Sequence, residues 1–168
     1  LRHVVQLVKP AVVFAEQTVQ LLGGWFMIPK DAGTLSAVAS DQVQIDLGKA
    51  AATGSFILIR AHDVDGNIRV EYMQVGALVS GTTYNVTRDL AGAHVTDPAW
   101  ADGTPYAVLG VSGDGRIEFN AYDTPRISII TQGATYNAQT EILRLGDLNG
   151  FPNSGITDQR WGIYIGNN

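Results

Sequence analysis

This sequence predicts an all-β fold: a small antiparallel barrel or sandwich followed by a Gly/Asn-rich β extension. Three observations carry the prediction. Short runs of β-branched and aromatic residues return at roughly ten-residue spacing. Clusters of Gly, Asp and Asn separate those runs. Segments with a helical period are few, and each competes with a strand reading.

In chain order, Leu1 to about Ala52 is irregular and poor in charge. Val12 to Leu22 contains Ala15, Glu16 and Gln17 but also Val12, Val13, Thr18 and Val19, so helix and strand compete until Gly23-Gly24 ends either. Ser55-Phe56-Ile57-Leu58-Ile59-Arg60 and Ile68-Arg69-Val70-Glu71-Tyr72 flank Asp63-Val64-Asp65-Gly66-Asn67, the pattern of a hairpin. In the second run Ile68, Val70 and Tyr72 point one way and Arg69 and Glu71 the other, which predicts a strand with one wet face. Thr83-Tyr84-Asn85-Val86-Thr87-Arg88 alternates too, placing Tyr84, Val86 and Arg88 together, with the Arg88 stem capping an apolar stripe. Tyr106-Ala107-Val108-Leu109 is apolar throughout, and Gly113-Asp114-Gly115 turns the chain into Arg116-Ile117-Glu118-Phe119-Asn120-Ala121. Pro125-Arg126-Ile127-Ser128-Ile129-Ile130 makes a further alternating strand, while Ala134 to Leu145 is again ambiguous between helix and strand. Three segments result: a β-rich N-terminal stretch 1–52, read as part of the same domain or as an assembly arm; a barrel or sandwich core 53–124; and a C-terminal oligomeric extension 125–168.

Composition narrows the function. The chain has 168 residues, 45% hydrophobic and 16% charged, with 19 glycines and a net charge of −5. Apolar content of that order excludes disorder. A net negative balance lacks the basic face that a phosphate-backbone binder needs, so no nucleic-acid partner is expected. The absence of cysteine excludes disulfides, zinc–thiolate sites and cysteine nucleophiles. The longest apolar stretches, Ala11-Val12-Val13-Phe14-Ala15 and Leu21 to Ile28, are far short of the roughly 20 residues of a membrane-spanning helix, so no membrane insertion is expected. Leu1-Arg2-His3 shows neither an initiator methionine nor a signal-peptide pattern, and Ile165-Gly166-Asn167-Asn168 closes in mid-motif, which reads as a piece of a longer chain.

No group of residues rises to catalytic chemistry. His3, His62 and His94 are scattered without metal-ligand spacing. Ser112 in Gly110-Val111-Ser112-Gly113-Asp114 has Asp114 where a nucleophile elbow requires glycine, and a strand rather than a helix follows; a tight hairpin connection explains it better. Gly113-x-Gly115 lacks the third glycine and the helix of a dinucleotide site. Asp63-x-Asp65-Gly66-Asn67 clusters oxygen ligands as calcium loops do, but no twelfth-position glutamate follows, and an ordinary hairpin loop is the simpler reading. Asp114, Glu118 and Asp123 are candidates for an acid/base pair of a glycosidase, without spacing that would set their separation. The expectation is therefore a non-enzyme with no catalytic, cofactor-binding or metal-binding residues and no cofactor. Trp25, Trp100, Trp161 and Tyr164 are the candidate ligand or interface aromatics, and Trp100, beside Asp102-Gly103-Thr104-Pro105, reads as a packing anchor.

A resemblance runs through these motifs. Glu71-Tyr72-Met73-Gln74-Val75, Thr83-Tyr84-Asn85-Val86-Thr87-Arg88-Asp89-Leu90-Ala91-Gly92, Trp100-Ala101-Asp102-Gly103-Thr104-Pro105-Tyr106-Ala107-Val108-Leu109-Gly110 and Gly113-Asp114-Gly115-Arg116-Ile117-Glu118 look like a module of tail-fibre and minor structural proteins of tailed bacteriophages. Pro125-Arg126-Ile127-Ser128-Ile129, Leu145-Gly146-Asp147-Leu148-Asn149-Gly150 and Trp161-Gly162-Ile163-Tyr164-Ile165-Gly166-Asn167 fit the same series. The likeness covers roughly residues 53 to 168, and Ala93-His94-Val95-Thr96-Asp97-Pro98 lengthens the link to Trp100 relative to the family pattern. It implies a structural role in the virion, outside the cell, with a homotrimer about the fibre axis and other tail or virion proteins as partners. The alternative is a carbohydrate-binding receptor-recognition or adhesin module, in which exposed tryptophans stack on a host-surface glycan.

Overall fold

The computed structural model describes residues 11–14, 17–21, 24–38, 43–94, 99–121, 124–151 and 154–166. Among them every regular element is a strand: β1 (Ala11–Phe14), β2 (Gln17–Leu21), β3 (Trp25–Ile28), β4 (Asp31–Thr34), β5 (Ala37–Val38), β6 (Gln44–Asp46), β7 (Phe56–His62), β8 (Ile68–Ser80), β9 (Thr83–Thr87), β10 (Pro105–Gly110), β11 (Gly115–Asn120), β12 (Arg126–Gln132), β13 (Gln139–Asp147) and β14 (Trp161–Ile165). The all-β prediction holds. Both ambiguous segments resolve toward strand, as β1 and β2 in the first and as much of β13 in the second. Among the described residues no helix is long and apolar enough to cross a membrane.

The strands form two antiparallel seven-stranded sheets. The first runs β1-β2-β3-β11-β12-β13-β14 and the second β4-β10-β7-β8-β9-β6-β5. The first sheet is therefore a meander into which the whole second sheet is inserted between β3 and β11, themselves hydrogen-bonded neighbours. Strands from segments 1–52 and 125–168 thus share one sheet. Chain passes into the insert at Pro29-Lys30 and out of it at Val111 to Asp114. The Lys30 ammonium ties the two crossings together, donating to Asp114 Oδ2 at 2.6 Å. Asp114 also accepts the Val111 N–H at 2.8 Å, closing the turn that contains Ser112.

The second sheet curls round the main core, formed by Ile45, Ile57, Ile59, Met73, Val75 and Tyr106 with their neighbours. Its outward side packs on the first sheet through Phe56, Leu58, Ala107 and Leu109 against Met27. Strands β7 and β10 are thus buried on both faces. That is why Phe56-Ile57-Leu58-Ile59 and Tyr106-Ala107-Val108-Leu109 are unbroken apolar runs rather than alternating ones. Tyr106 lies across Gly33, its antiparallel partner, and its hydroxyl donates to the Leu47 carbonyl at 2.7 Å.

One sequence expectation is corrected here. The predicted wet face of β8 carries Glu71, which is 0% exposed, while Ile68 and Val70 face solvent. Glu71 is in phase with Met73 and Val75, both core residues, and those two fix which side of the strand goes inward. Arg69 does stay at the surface, paired with Asp63 at 3.2 Å. The Arg88 stem does continue the apolar stripe of Tyr84 and Val86, but that stripe lies in the core. Its side chain, 4% exposed, goes inward to Glu71.

Candidate interaction surface

The charged residues are sorted by what they touch. Glu71 Oε1 accepts Arg88 Nε at 2.5 Å and the Asp89 N–H at 3.0 Å, and Oε2 accepts Arg88 Nη2 at 2.7 Å and Trp100 Nε1 at 2.7 Å. Each oxygen has two donors, so this buried carboxylate is saturated. It is a brace binding β8, β9 and the Trp100 loop, not an idle acid. Asp89, at φ 40°, holds the backbone turn that makes its own N–H available, and its carboxylate takes the Ala93 and His94 N–H groups at 3.0 and 2.9 Å.

The remaining sequence candidates disperse. Asp63 Oδ1 accepts the Asp65 and Asn67 N–H groups at 3.1 and 2.8 Å, an ordinary hairpin loop. Burial of Asp63 raises its pKa, but the Asn67 backbone donor and Arg69 outweigh this and hold the carboxyl below its usual range. Among the described residues no group of three or more His, Cys, Asp or Glu is arranged to hold a metal ion. Asp114 is held by Lys30, and Glu118 accepts Arg116 Nε at 2.7 Å; His3 and Asp123 lie outside the described residues. The His94 ring meets the Val70 carbonyl at 2.9 Å.

Three of the four aromatics are placed, each differently. Trp100 is 1% exposed. Trp161 is 65% exposed at the start of edge strand β14. Tyr164 faces the opposite side and packs on Phe151, ring centroids 4.5 Å apart. The side chain of Trp25 lies outside the described residues.

Trp161 belongs to a surface that the sequence reading did not assemble. Strand register aligns Phe26, Phe119, Ile127, Leu145 and Ile163 in one row across β3, β11, β12, β13 and β14. The next row in phase is Ile28, Ile117, Ile129, Leu143 and Ile165. Alternation puts both rows and Trp161 on the side facing away from the second sheet. Phe26 and Phe119 stack at 4.2 Å, and a groove of about 550 Å³ runs along Phe119, Ile127, Leu145 and Trp161, with Arg126 at its rim. Exposure rises toward the edge strand, to 67% at Ile163 and 70% at Ile165.

The other side of these strands is polar. Met27, Glu118, Ser128, Arg144 and Tyr164 are the corresponding cross-strand row. Arg144 Nε donates to Glu141 Oε1 at 2.9 Å and Nη1 to the Asn149 carbonyl at 2.7 Å, while its second Nη meets Glu141 Oε2. Ser128 adds a hydroxyl to Glu141, and the Arg144 guanidinium lies 5.2 Å from the Phe151 ring centroid. Arg116 bridges Glu118 and Gln139, leaving one buried Nη1 without a partner. Over β11 to β14 the usual polarity is therefore reversed: charge is enclosed and hydrocarbon is presented.

The signal for this was in the sequence. Ile127, Ile129, Leu143, Leu145, Ile163 and Ile165 alternate with Ser128, Arg144, Gly162 and Tyr164, but alternation does not state which side is wet. Comparison with family models, with curated proteins and with solved structures gave no match.

Proposed function

We propose that this chain is a non-enzymatic structural component of a bacteriophage tail appendage, a tail-fibre or tail-tip protein, acting as a homo-oligomer in the extracellular virion. The observation that carries the reading is the reversed polarity of β11 to β14. An uncharged hydrocarbon face on the outside of a sheet suits a subunit of an assembly and burdens a chain working alone. The buried charges support the same reading, because Glu71, Glu141 and their arginines are used in bracing strands. Three chains is the number that the resemblance to tail fibres implies.

Light scattering on the purified chain, with antibody labelling of the native particle in the electron microscope, tests it. A multimeric mass and label on a tail appendage are expected. A monomer at all concentrations, or label confined to another part of the particle, would count decisively against it.

A second reading has one observation in its favour. Trp161 is exposed beside the groove, as the platform of a carbohydrate-binding module would be. Trp100 is buried and unavailable for that role. Quenching or enhancement of Trp161 fluorescence by host-surface oligosaccharides would favour this reading over the first.

A further inference from the structure

We infer that the apolar face of β3, β11, β12, β13 and β14 is covered by the same face of another copy of this chain. The inference rests on the self-associating reading above and names the surface responsible.

Size is the first argument. Five strands about 4.8 Å apart, carrying two rows roughly 7 Å apart, make a footprint of about 24 by 14 Å, which Trp161 and the groove beside it extend at one end. Two such footprints come to roughly 700 Å², and the Trp161 side chain with the walls of the groove brings the contact toward the ~1,000 Å² of a specific protein interface. Chemistry is the second. Neither row contains a charged side chain, so the face offers no charge pattern by which to select a foreign partner. A surface of Ile, Leu, Phe and Trp is matched by another of the same kind, and this is the composition of permanent homo-oligomer interfaces. Topography is the third, and it serves equally whether two faces meet across a two-fold or three turn toward a common axis. The face is built of antiparallel strands whose side chains stand at pleat spacing, so two faces can interdigitate as paired sheets do, about 10 Å apart.

The edge strand focuses the contact. Trp161, Ile163 and Ile165 are the most exposed of the set, at the border where the face meets solvent. Trp161 walls the groove, and a neighbouring copy inserting hydrocarbon there would bury it. Among the described residues, the other exposed apolar groups, including Val64, Ile68, Val70, Leu78 and Val79, lie on the second sheet and its turns and form no row across several strands.

The test compares three proteins by light scattering over a dilution series: the unmodified chain, the double variant Leu145→Glu/Ile163→Glu, and the control Val64→Glu/Leu78→Glu. Expected are a multimer for the unmodified chain and the control, and self-association weakened about 100-fold or more for the face variant. Retention of the native fold is checked by shielding of Trp100 from acrylamide. A face variant that stays multimeric overturns this inference while leaving self-association intact. An unmodified chain that is monomeric throughout overturns both.

A second measurement avoids any folding defect of the charged variant. The part of the fluorescence that disappears in Trp161→Phe is expected to be shielded from acrylamide in the unmodified multimer and to become quenchable on dilution. Equal quenching in both states overturns the inference.

Discussion

Glu71 and Arg88 face each other across β8 and β9 as a two-point ion pair, at 2.5 and 2.7 Å, with the carboxylate closed entirely to solvent. Removing one partner leaves an uncompensated charge in the core. Arg88→Met is expected to cost about 3–5 kcal/mol in urea unfolding. The double variant Glu71→Gln/Arg88→Met is expected to lose less than Arg88→Met alone, because no charge then remains buried while an amide oxygen still accepts from Trp100 or Asp89. Losses that simply add would show that the pair is not coupled.

Trp100 supplies both bulk and a donor to that carboxylate. Trp100→Ala is expected to destabilise by about 3–5 kcal/mol, and Trp100→Phe by less, since the ring volume is largely kept while the N–H bond is lost. Thermal melts of the two variants provide the comparison. Equal losses would mean that the hydrogen bond dominates the packing.

Gly33 lies under the Tyr106 ring. A β-carbon built there would come within 2.5 Å of the Tyr106 hydroxyl oxygen and 2.6 Å of Cζ. Gly33→Ala must therefore displace the ring and with it the hydroxyl bond to Leu47. A loss of about 1–3 kcal/mol is expected from this overpacking. Burial pushes the Tyr106 hydroxyl pKa well above its ordinary value. The displaced ring of Gly33→Ala should therefore ionise at lower pH in an ultraviolet titration.

Acid sensitivity follows from three lowered carboxyls: Asp63 in its hairpin loop, Asp46 and Asp114. The Thr82 hydroxyl and the Gly48 N–H lower the pKa of Asp46, outweighing its burial. For Asp114 burial acts upward, but Lys30 and the Val111 N–H bring the pKa below its usual 3.8. A folded-state pKa beneath the unfolded value contributes stability that is present above the unfolded pKa and is lost as pH falls through the folded one. Unfolding free energy should therefore decline as pH drops below about 4. Asp46→Asn and Asp114→Asn should each flatten that decline, and added salt should do so for the exposed Lys30–Asp114 pair. A pH profile unchanged by either substitution would refute the assignment.

How much of this was legible varied with the kind of information required. Strand identity was local: Phe56-Ile57-Leu58-Ile59 flanked by turn residues needs no partner to be read as β. Facing was not local. Glu71 looked like a surface residue from Arg69 beside it, and only its phase with Met73 and Val75 points inward. The row from Phe26 to Ile163 was less accessible still, because it is assembled by register between strands far apart in the chain. Ile127 lies in an alternating run and Leu145 in a segment ambiguous between helix and strand, and neither context states which side is wet. Their outward position depends on the second sheet covering the opposite side, a fact that no window of sequence contains. Of the four aromatics, Trp100 was readable as a packing anchor, while the difference between Trp161 and Tyr164 turns on which side of β14 each occupies.

The insertion of the second sheet between β3 and β11 bears on the order in which the molecule is made. Ile28 and Ile117 must pair although the whole second sheet, a curled half-barrel, separates them in the chain. Closing so long a loop from an unfolded chain is entropically costly and slow. Within the second sheet β7 with β8, β8 with β9 and β5 with β6 close over short distances, while β4–β10, β7–β10 and β6–β9 close long loops of their own. Once formed, that sheet brings Lys30 and Asp114 to 2.6 Å and delivers β3 and β11 side by side. The inserted sheet thus clamps the meander at its long-range joint, β3 to β11, while β11 to β14, which carry most of the hydrocarbon face, pair as consecutive strands.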